Sequence, residues 1–164
     1  MNHKRQRRGA DDVEFSDPLK RYEGCTPSDD LERALCEGTV ADVGPMSIAT
    51  ASPIDTIESA VIRMAELDVG CLLILETDRL VGIFTQSDLL RRVIDRYDLI
   101  KGTLLRDVMT PDPAFVRNTD SPAKAINLMS TGGFRHVPVL DVDDRVVGII
   151  GPRRVTQYLR QHLG

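Results

Sequence analysis

The 164 residues contain no tryptophan, three tyrosines and four phenylalanines, so little side-chain material is available for stacking nucleic-acid bases. A formal net charge of −4 argues in the same direction, against nucleic acid as the main partner. No apolar run approaches the roughly 18 to 20 residues that a membrane-spanning helix needs, which argues against a membrane protein. The start of the chain, residues 1–8, is basic but lacks the apolar stretch of a secretory signal, so the expected location is cytoplasmic. Cysteine is scarce: Cys25, Cys36 and Cys71 are odd in number and never form a C-x-x-C pair, which indicates neither a disulfide framework nor a thiolate zinc site. His3, His136 and His162 are scattered, and there is no G-x-x-x-x-G-K-[ST] phosphate loop. The spacing therefore offers no catalytic residues, no metal ligands and no required cofactor, and a non-enzymatic protein is expected. Asp141-Val142-Asp143-Asp144 has the acidic start of a calcium loop, but Arg145 falls on a ligand position and neither the glycine nor the closing glutamate follows. It reads as a hairpin turn.

An apolar fraction of 41% is ordinary for a globular chain, and the apolar residues fall into two copies of one pattern. Residues 42–83 match residues 107–149 at an offset of 65 that widens to 66 after one inserted residue. The pairs include Asp42/Asp107, Ala49/Ala114, Asp55/Asp120, Ala60/Ala125, Met64/Met129, Leu75/Leu140, Arg79/Arg145, Gly82/Gly148 and Ile83/Ile149. Upstream, Gly38-Thr39-Val40 is echoed by Gly102-Thr103-Leu104.

Each copy reads as a β-α-β-β-α unit. Asp55 followed by Glu58 is a capping-box signal, after which Ile57, Val61, Met64 and Leu67 recur at helical spacing and Gly70 stands just past the end. The apolar runs 71–75 and 80–84 flank Glu76-Thr77-Asp78-Arg79 as a hairpin of buried strands, and a second helix is expected over 87–97. In the second copy Asp120-Ser121-Pro122 opens a helix, Gly132-Gly133 closes it, strands follow at 136–140 and 145–150, and a last helix starts at Pro152. Short extended segments at 48–51 and 114–117 precede each first helix. The division is a disordered, basic then acidic tail over 1–24, an N-terminal helical segment over 25–37, a first repeat over 38–97, a linker over 98–103 and a second repeat over 104–164. Leu31, Ala34 and Leu35 give the N-terminal helix a packing side. A unit of about 55 residues cannot cover both faces of its sheet, so an α/β (α+β) fold is expected in which the two units pack sheet to sheet around a pseudo-twofold axis.

The organisation resembles the cystathionine-β-synthase (CBS) domain pair, or Bateman module, over roughly residues 38–160. The resemblance is carried by Val108-Met109-Thr110-Pro111, by Phe134-Arg135-His136-Val137-Pro138-Val139-Leu140-Asp141, and by Gly82-Ile83-Phe84-Thr85-Gln86-Ser87-Asp88. It implies a regulatory module that senses an adenosine ligand such as AMP, ADP, ATP or a related adenosyl compound and controls a partner protein, here an unknown one. It also implies a homodimer built through the helices.

Thr85 and Asp88 fall where a buried strand meets a helix start, a place of unpaired backbone N–H groups. An ionised aspartate accepts charge-assisted bonds from two neighbouring hydroxyls, as on a ribose 2′,3′-diol, and a threonine three residues earlier faces the sugar or first phosphate. On the four residues alone, Thr85 as a helix cap and Asp88 as its dipole partner is the more economical reading; within the repeat they become the ribose pair. The second copy has Gly151 and Arg154 at the equivalent places, so one regular nucleotide site per chain is expected. The resemblance further implies adenine contacts from Ile48, Ala49, Thr50, Val69, Gly70 and Cys71, phosphate contacts from Arg135 and His136 across the cleft, and a sugar contact from Thr39. Plainer readings stand beside these: Gly70 as a helix C-cap, Cys71 as a small buried apolar residue and His136 as a structural residue. Two functions follow, a nucleotide sensor and a ligand-independent dimerisation or protein-interaction module with a vestigial pocket.

Overall fold

The computed structural model describes residues 27–163; the expected tail at 1–24, with Cys25, lies outside the described residues. Asp29 caps α1 (Asp30–Glu37) by accepting from the Glu32 amide at 2.7 Å, and Thr39 opens the short α2 (Val40–Val43). The first repeat continues with β1 (Thr50–Ala51), α3 (Ile57–Glu66), β2 (Cys71–Glu76), β3 (Arg79–Thr85) and α4 (Gln86–Asp88), followed by α5 (Tyr97–Ile100). The second contributes β4 (Thr110–Pro111), β5 (Val116–Arg117), α6 (Pro122–Gly132), β6 (Val137–Leu140), β7 (Val146–Ile150) and α7 (Pro152–His162). Two sheets result, ordered β1-β2-β3-β4 and β5-β6-β7.

Local chemistry adjusts the expected caps and helices. The cap of α3 is Thr56, whose hydroxyl accepts from the Ser59 amide at 3.2 Å, while Asp55 accepts from the Ser52 amide at 2.9 Å and so tightens the preceding turn. Ile57, Ala60 and Met64 form the buried face of α3, but Leu67 lies beyond its last residue and is exposed. The hairpin turn places both Thr77 and Asp78 at positive φ, 49° and 63°, the pairing whose twist suits a two-residue connection. The single helix expected over 87–97 is interrupted: α4 passes into a π turn at Leu89–Val93 and a 3-10 turn at Ile94–Arg96. This path buries Val93 and leaves Leu90 and Ile94 exposed.

Alternation along the strands builds the layers. Leu72, Ile74 and Phe84 join Ile57, Ala60 and Met64 beneath the first repeat's helices, whereas Cys71, Leu73 and Ile83 point the other way and meet Ile149 between the sheets. Each large buried side chain contributes roughly 1.5–3 kcal/mol. The sheets thus pack face to face, and the halves are related by a pseudo-twofold.

The exchange between the halves was not expected. The segment ahead of each copy packs on the other copy: Val40 N–H donates to Asp120 O at 2.7 Å and Ala41 N–H to Asn118 O at 3.0 Å, mirrored by Leu105 N–H to Asp55 O at 2.8 Å and Arg106 N–H to Pro53 O at 3.0 Å. Residues 38–43, which the sequence reading assigns to the first repeat, therefore complete the second, where Val40 and Val43 pack with Val116, Val137 and Ile150. Leu105 correspondingly fills the first core. Residues 98–103 are not a free connection, since the carbonyls of Lys101 and Thr103 accept from the α3 amides of Glu58 and Ile57, each at 3.0 Å. Strands cross as well: β4 pairs with β3, and Met46 bridges Ile149. Gly82 and Gly148 make room for these crossings, because a Cβ on Gly148 would lie 2.5 Å from Pro45 Cβ and one on Gly82 would strike the Met109 side chain.

Candidate functional site

The end of β3 and the start of α4 form one corner at the rim of the first sheet. Thr85 stands opposite Cys71 in the ladder, and Gln86 N–H donates to Gly70 O at 3.0 Å, so Gly70, Cys71, Thr85 and Gln86 are drawn together by strand register. Thr85 and Asp88 make a full capping box. Asp88 Oδ2 accepts from the Thr85 amide at 2.9 Å and from its hydroxyl at 2.8 Å, while the Thr85 hydroxyl accepts from the Asp88 amide at 3.1 Å. The cap and the proposed sugar role are therefore not exclusive, because a carboxylate has acceptor capacity to spare. Among the described residues, Oδ1 has only two polar partners, both distant: the Thr110 hydroxyl at 3.5 Å and Arg92 Nε at 3.6 Å. Asp88 is nevertheless 9% exposed, the one charged residue in the buried set of the described residues.

The same T-x-x-D box recurs at Thr39 and Asp42, where Asp42 Oδ2 accepts from the Thr39 hydroxyl at 2.7 Å and amide at 2.8 Å. The Thr39 hydroxyl, then its amide, hold the Asp42 carboxyl below the usual carboxylate range. Asp42 is exposed and borders an open cavity together with Arg33, Gly38, Tyr158 and His162. Thr39 sits among the second repeat's helices, and none of its hydrogen bonds reaches the Thr85 corner.

His136 does reach that corner from the opposite repeat. Its Cε1 and Nε2 lie 3.1 Å from where a Cβ on Gly70 would be, with the Gln86 side-chain carbonyl 3.7 Å from the same point. The absent side chain of Gly70 is what admits the ring. Burial, and secondarily the Arg135 guanidinium, push His136 below its ordinary value, favouring the neutral imidazole. Arg135 itself is exposed, and its carbonyl lies 2.8 Å from the Cβ position of Gly151.

The expected adenine residues flank the corner, with much of their hydrogen-bonding capacity already in use. Ala49 O accepts from the Leu73 amide at 2.9 Å, Thr50 O from Arg63 Nη1 at 2.6 Å, and Gly70 O from Gln86. Val69 N–H donates to Met64 O at 3.1 Å, and Ile48 packs against the cluster of Cys71, Leu73, Ile83 and Ile149. Burial drives the Cys71 thiol up to about 12, which suits an inert apolar role. In the second repeat Gly151 begins α7 without a side-chain cap, and Arg154 Nη1 approaches Gln157 Oε1 at 3.5 Å. Sequence reasoning missed Gln86, Thr110 and Arg92. Arg92 follows Asp88 by four residues, a helical spacing that brings opposite charges together, and Thr110 lies inside the V-M-T-P run.

The CBS domain family model matches this chain twice, over residues 40–95 and 105–161. The chain belongs to the CBS domain family. This CBS pair is 33% identical over 105 residues to the CBS domain-containing protein CBSCBSPB1 of Arabidopsis thaliana, a match covering 64% of the chain and 19% of that protein, so the chain spans about a fifth of that relative's length. Among solved structures, a CBS-domain protein from Burkholderia ambifaria superposes with a TM-score of 0.69 at 27% identity, covering 77% of this chain and 96% of that one. CBSX2, solved in complex with AMP, superposes with a TM-score of 0.66 at 28% identity, covering 75% and 96%. Among the described residues of this CBS pair, no helix is long and apolar enough to cross a membrane, and no group of three or more His, Cys, Asp or Glu side chains is placed to hold a metal ion.

Proposed function

We propose that this CBS pair is a cytoplasmic, non-catalytic sensor that binds an adenosine nucleotide, AMP, ADP or ATP, and modulates a partner protein. The observation that carries the reading is the Asp88 carboxylate: it is buried at a helix start, holds its own cap through Oδ2, and keeps Oδ1 with no partner nearer than 3.5 Å among the described residues. A ribose diol donating to that oxygen replaces two long contacts with two short charge-assisted ones. Thr85 faces the sugar, Ile48, Ala49, Thr50, Val69, Gly70 and Cys71 flank the base, and Arg135 and His136 serve the phosphates from the other repeat. Binding between the repeats then changes their relative angle by differential affinity for two states, and Leu90, Ile94 and Leu99, exposed on the segment after Asp88, give a homodimer its contact face. That CBSX2 was solved with AMP supports the ligand class.

Titration with AMP, ADP and ATP tests the reading. At 100 times the dissociation constant a bound nucleotide raises stability by about 2.7 kcal/mol, read as a higher melting temperature. No change with any of the three leaves the second reading, a ligand-independent dimerisation module with a vestigial pocket. One observation favours that alternative: the His136 ring already occupies the space above Gly70. Light scattering would then show a dimer whose size and stability ignore nucleotide.

A further inference from the structure

The open oxygen of Asp88 is bordered by the strand that crosses from the second repeat. Thr110, on β4, brings its hydroxyl to 3.5 Å from Asp88 Oδ1, and it is held there by pairing with Ile83. Arg92 borders the same oxygen from the helix side, with Nε at 3.6 Å, and its Nη1 donates to the carbonyls of Val108 at 3.0 Å and Met109 at 3.4 Å. One guanidinium therefore spans the carboxylate and the two residues ahead of Thr110, and its planar geometry fixes their spacing. Because Oδ2 is committed to the cap, a diol that leaves the cap intact must approach Oδ1, and doing so brings its hydroxyls beside Thr110.

We propose that Thr110 is a specificity-determining residue that reads the sugar hydroxyls alongside Asp88, and that Arg92 is a positioning residue that holds Thr110 and the carboxylate in register. The inference rests on the nucleotide reading of the Asp88 corner, and it makes the sugar site a product of both repeats. The Thr110 hydroxyl donates to, or accepts from, the hydroxyl that Oδ1 does not fully satisfy. A ribose thus meets a matched carboxylate–hydroxyl pair, and a 2′-deoxyribose leaves one member without its partner.

The test is calorimetric titration of the full chain with AMP and ATP, each against its 2′-deoxy counterpart. Thr110→Val keeps the β-branched shape and removes the hydroxyl; it should lower the ribo-to-deoxy affinity ratio about tenfold, the worth of one such hydrogen bond. Thr110→Ser should keep the ratio, and Thr110→Ala replaces the valine variant if that lowers the melting temperature of the free protein. Arg92→Gln should lower the ratio too, whereas Arg96→Gln, the same charge change at an exposed residue with no contact to Asp88, should not. A purely structural role for Arg92 would change the melting temperature and leave the ratio alone. If Asp88→Asn collapses the ratio while the Thr110 and Arg92 variants keep the wild-type value, this inference is overturned and the Asp88 site stands. A wild-type protein that binds neither nucleotide, or shows no ribose preference, overturns the site reading and this inference with it.

Discussion

Replacing Asp88 by asparagine separates the cap that its side chain makes from the sugar contact proposed for it. The asparagine carbonyl takes the place of Oδ2 and still accepts from the Thr85 amide and hydroxyl, contacts of 2.9 and 2.8 Å in the wild type, so the capping box survives. What changes is the other edge, where an NH2 group replaces Oδ1 and can only donate. For the free protein the loss is that of a negative charge in a helix's first turn, about 0.3–1 kcal/mol, and the weakened long contact to Arg92 at 3.6 Å adds little to it. For the complex the loss is far larger. Two hydrogen bonds from a diol to an ionised acceptor are worth about 1.5 kcal/mol each or more, so the affinity of a ribonucleotide should fall by roughly 3 kcal/mol, about a hundredfold. Calorimetric titration with AMP and ATP measures the second quantity and the melting temperature of the free protein the first. Asp88→Ala provides the contrast, since it also removes the cap and should cost the free protein about 0.5–2 kcal/mol. An Asp88→Asn protein that binds nucleotide within twofold of wild type would refute the assignment of the diol to this carboxylate.

Further expectations concern the neighbouring residues. His136 has a native pKa depressed below 6.5, so the unfolded chain binds the proton more readily; its contribution to stability is intact above about pH 6.5 and is lost as the pH falls from there through the lower native value. Melting temperatures of wild type and His136→Gln between pH 8 and 5 should converge on the acid side, and parallel curves would contradict this. At the crossings, Gly148→Ala should destabilise more than Gly82→Ala, because its Cβ meets the rigid Pro45 ring at 2.5 Å and the Met46 carbonyl at 3.2 Å rather than the flexible Met109 side chain; overpacking of this kind costs about 1–3 kcal/mol, and denaturant unfolding that ranks the two the other way would be decisive against it. Cys71, with its thiol pushed up to about 12 by burial, should resist alkylation in the folded protein at pH 8 and react on unfolding, as mass spectrometry of the labelled peptide will report.

Much of the architecture was legible in the chain itself. The offset of 65 residues pairs turn and core positions, and buried hairpins and amphipathic helices announce themselves through short-range periodicity, so β2, β3, α3, α6, β6, β7 and α7 fall near their expected places. The fold class followed from units too small to cover both faces of their sheets, and the family resemblance carried by the same residues agreed with it. Helix caps were read less well, as Thr56 took the place expected for Asp55, because neighbouring polar residues compete for the same amides and only backbone geometry decides between them.

The site shows the boundary between sequence and tertiary structure most clearly. T-x-x-D occurs at Thr26–Asp29, Thr39–Asp42 and Thr85–Asp88, and the last two form the same capping box. That geometry depends on local backbone alone, so the chain determines it twice. Burial is a different matter: Asp42 is exposed on a helix that packs with the second repeat, whereas Asp88 lies beneath the crossing strand with Thr110 and Arg92 beside it. Two-residue strands such as β4 carry no periodic signal, and their pairing across the halves is settled by which sheet edge is left open once both repeats have folded. Local sequence thus determined the elements and their caps, and only the long-range exchange between the repeats decided which of these capping boxes was buried beside the crossing strand.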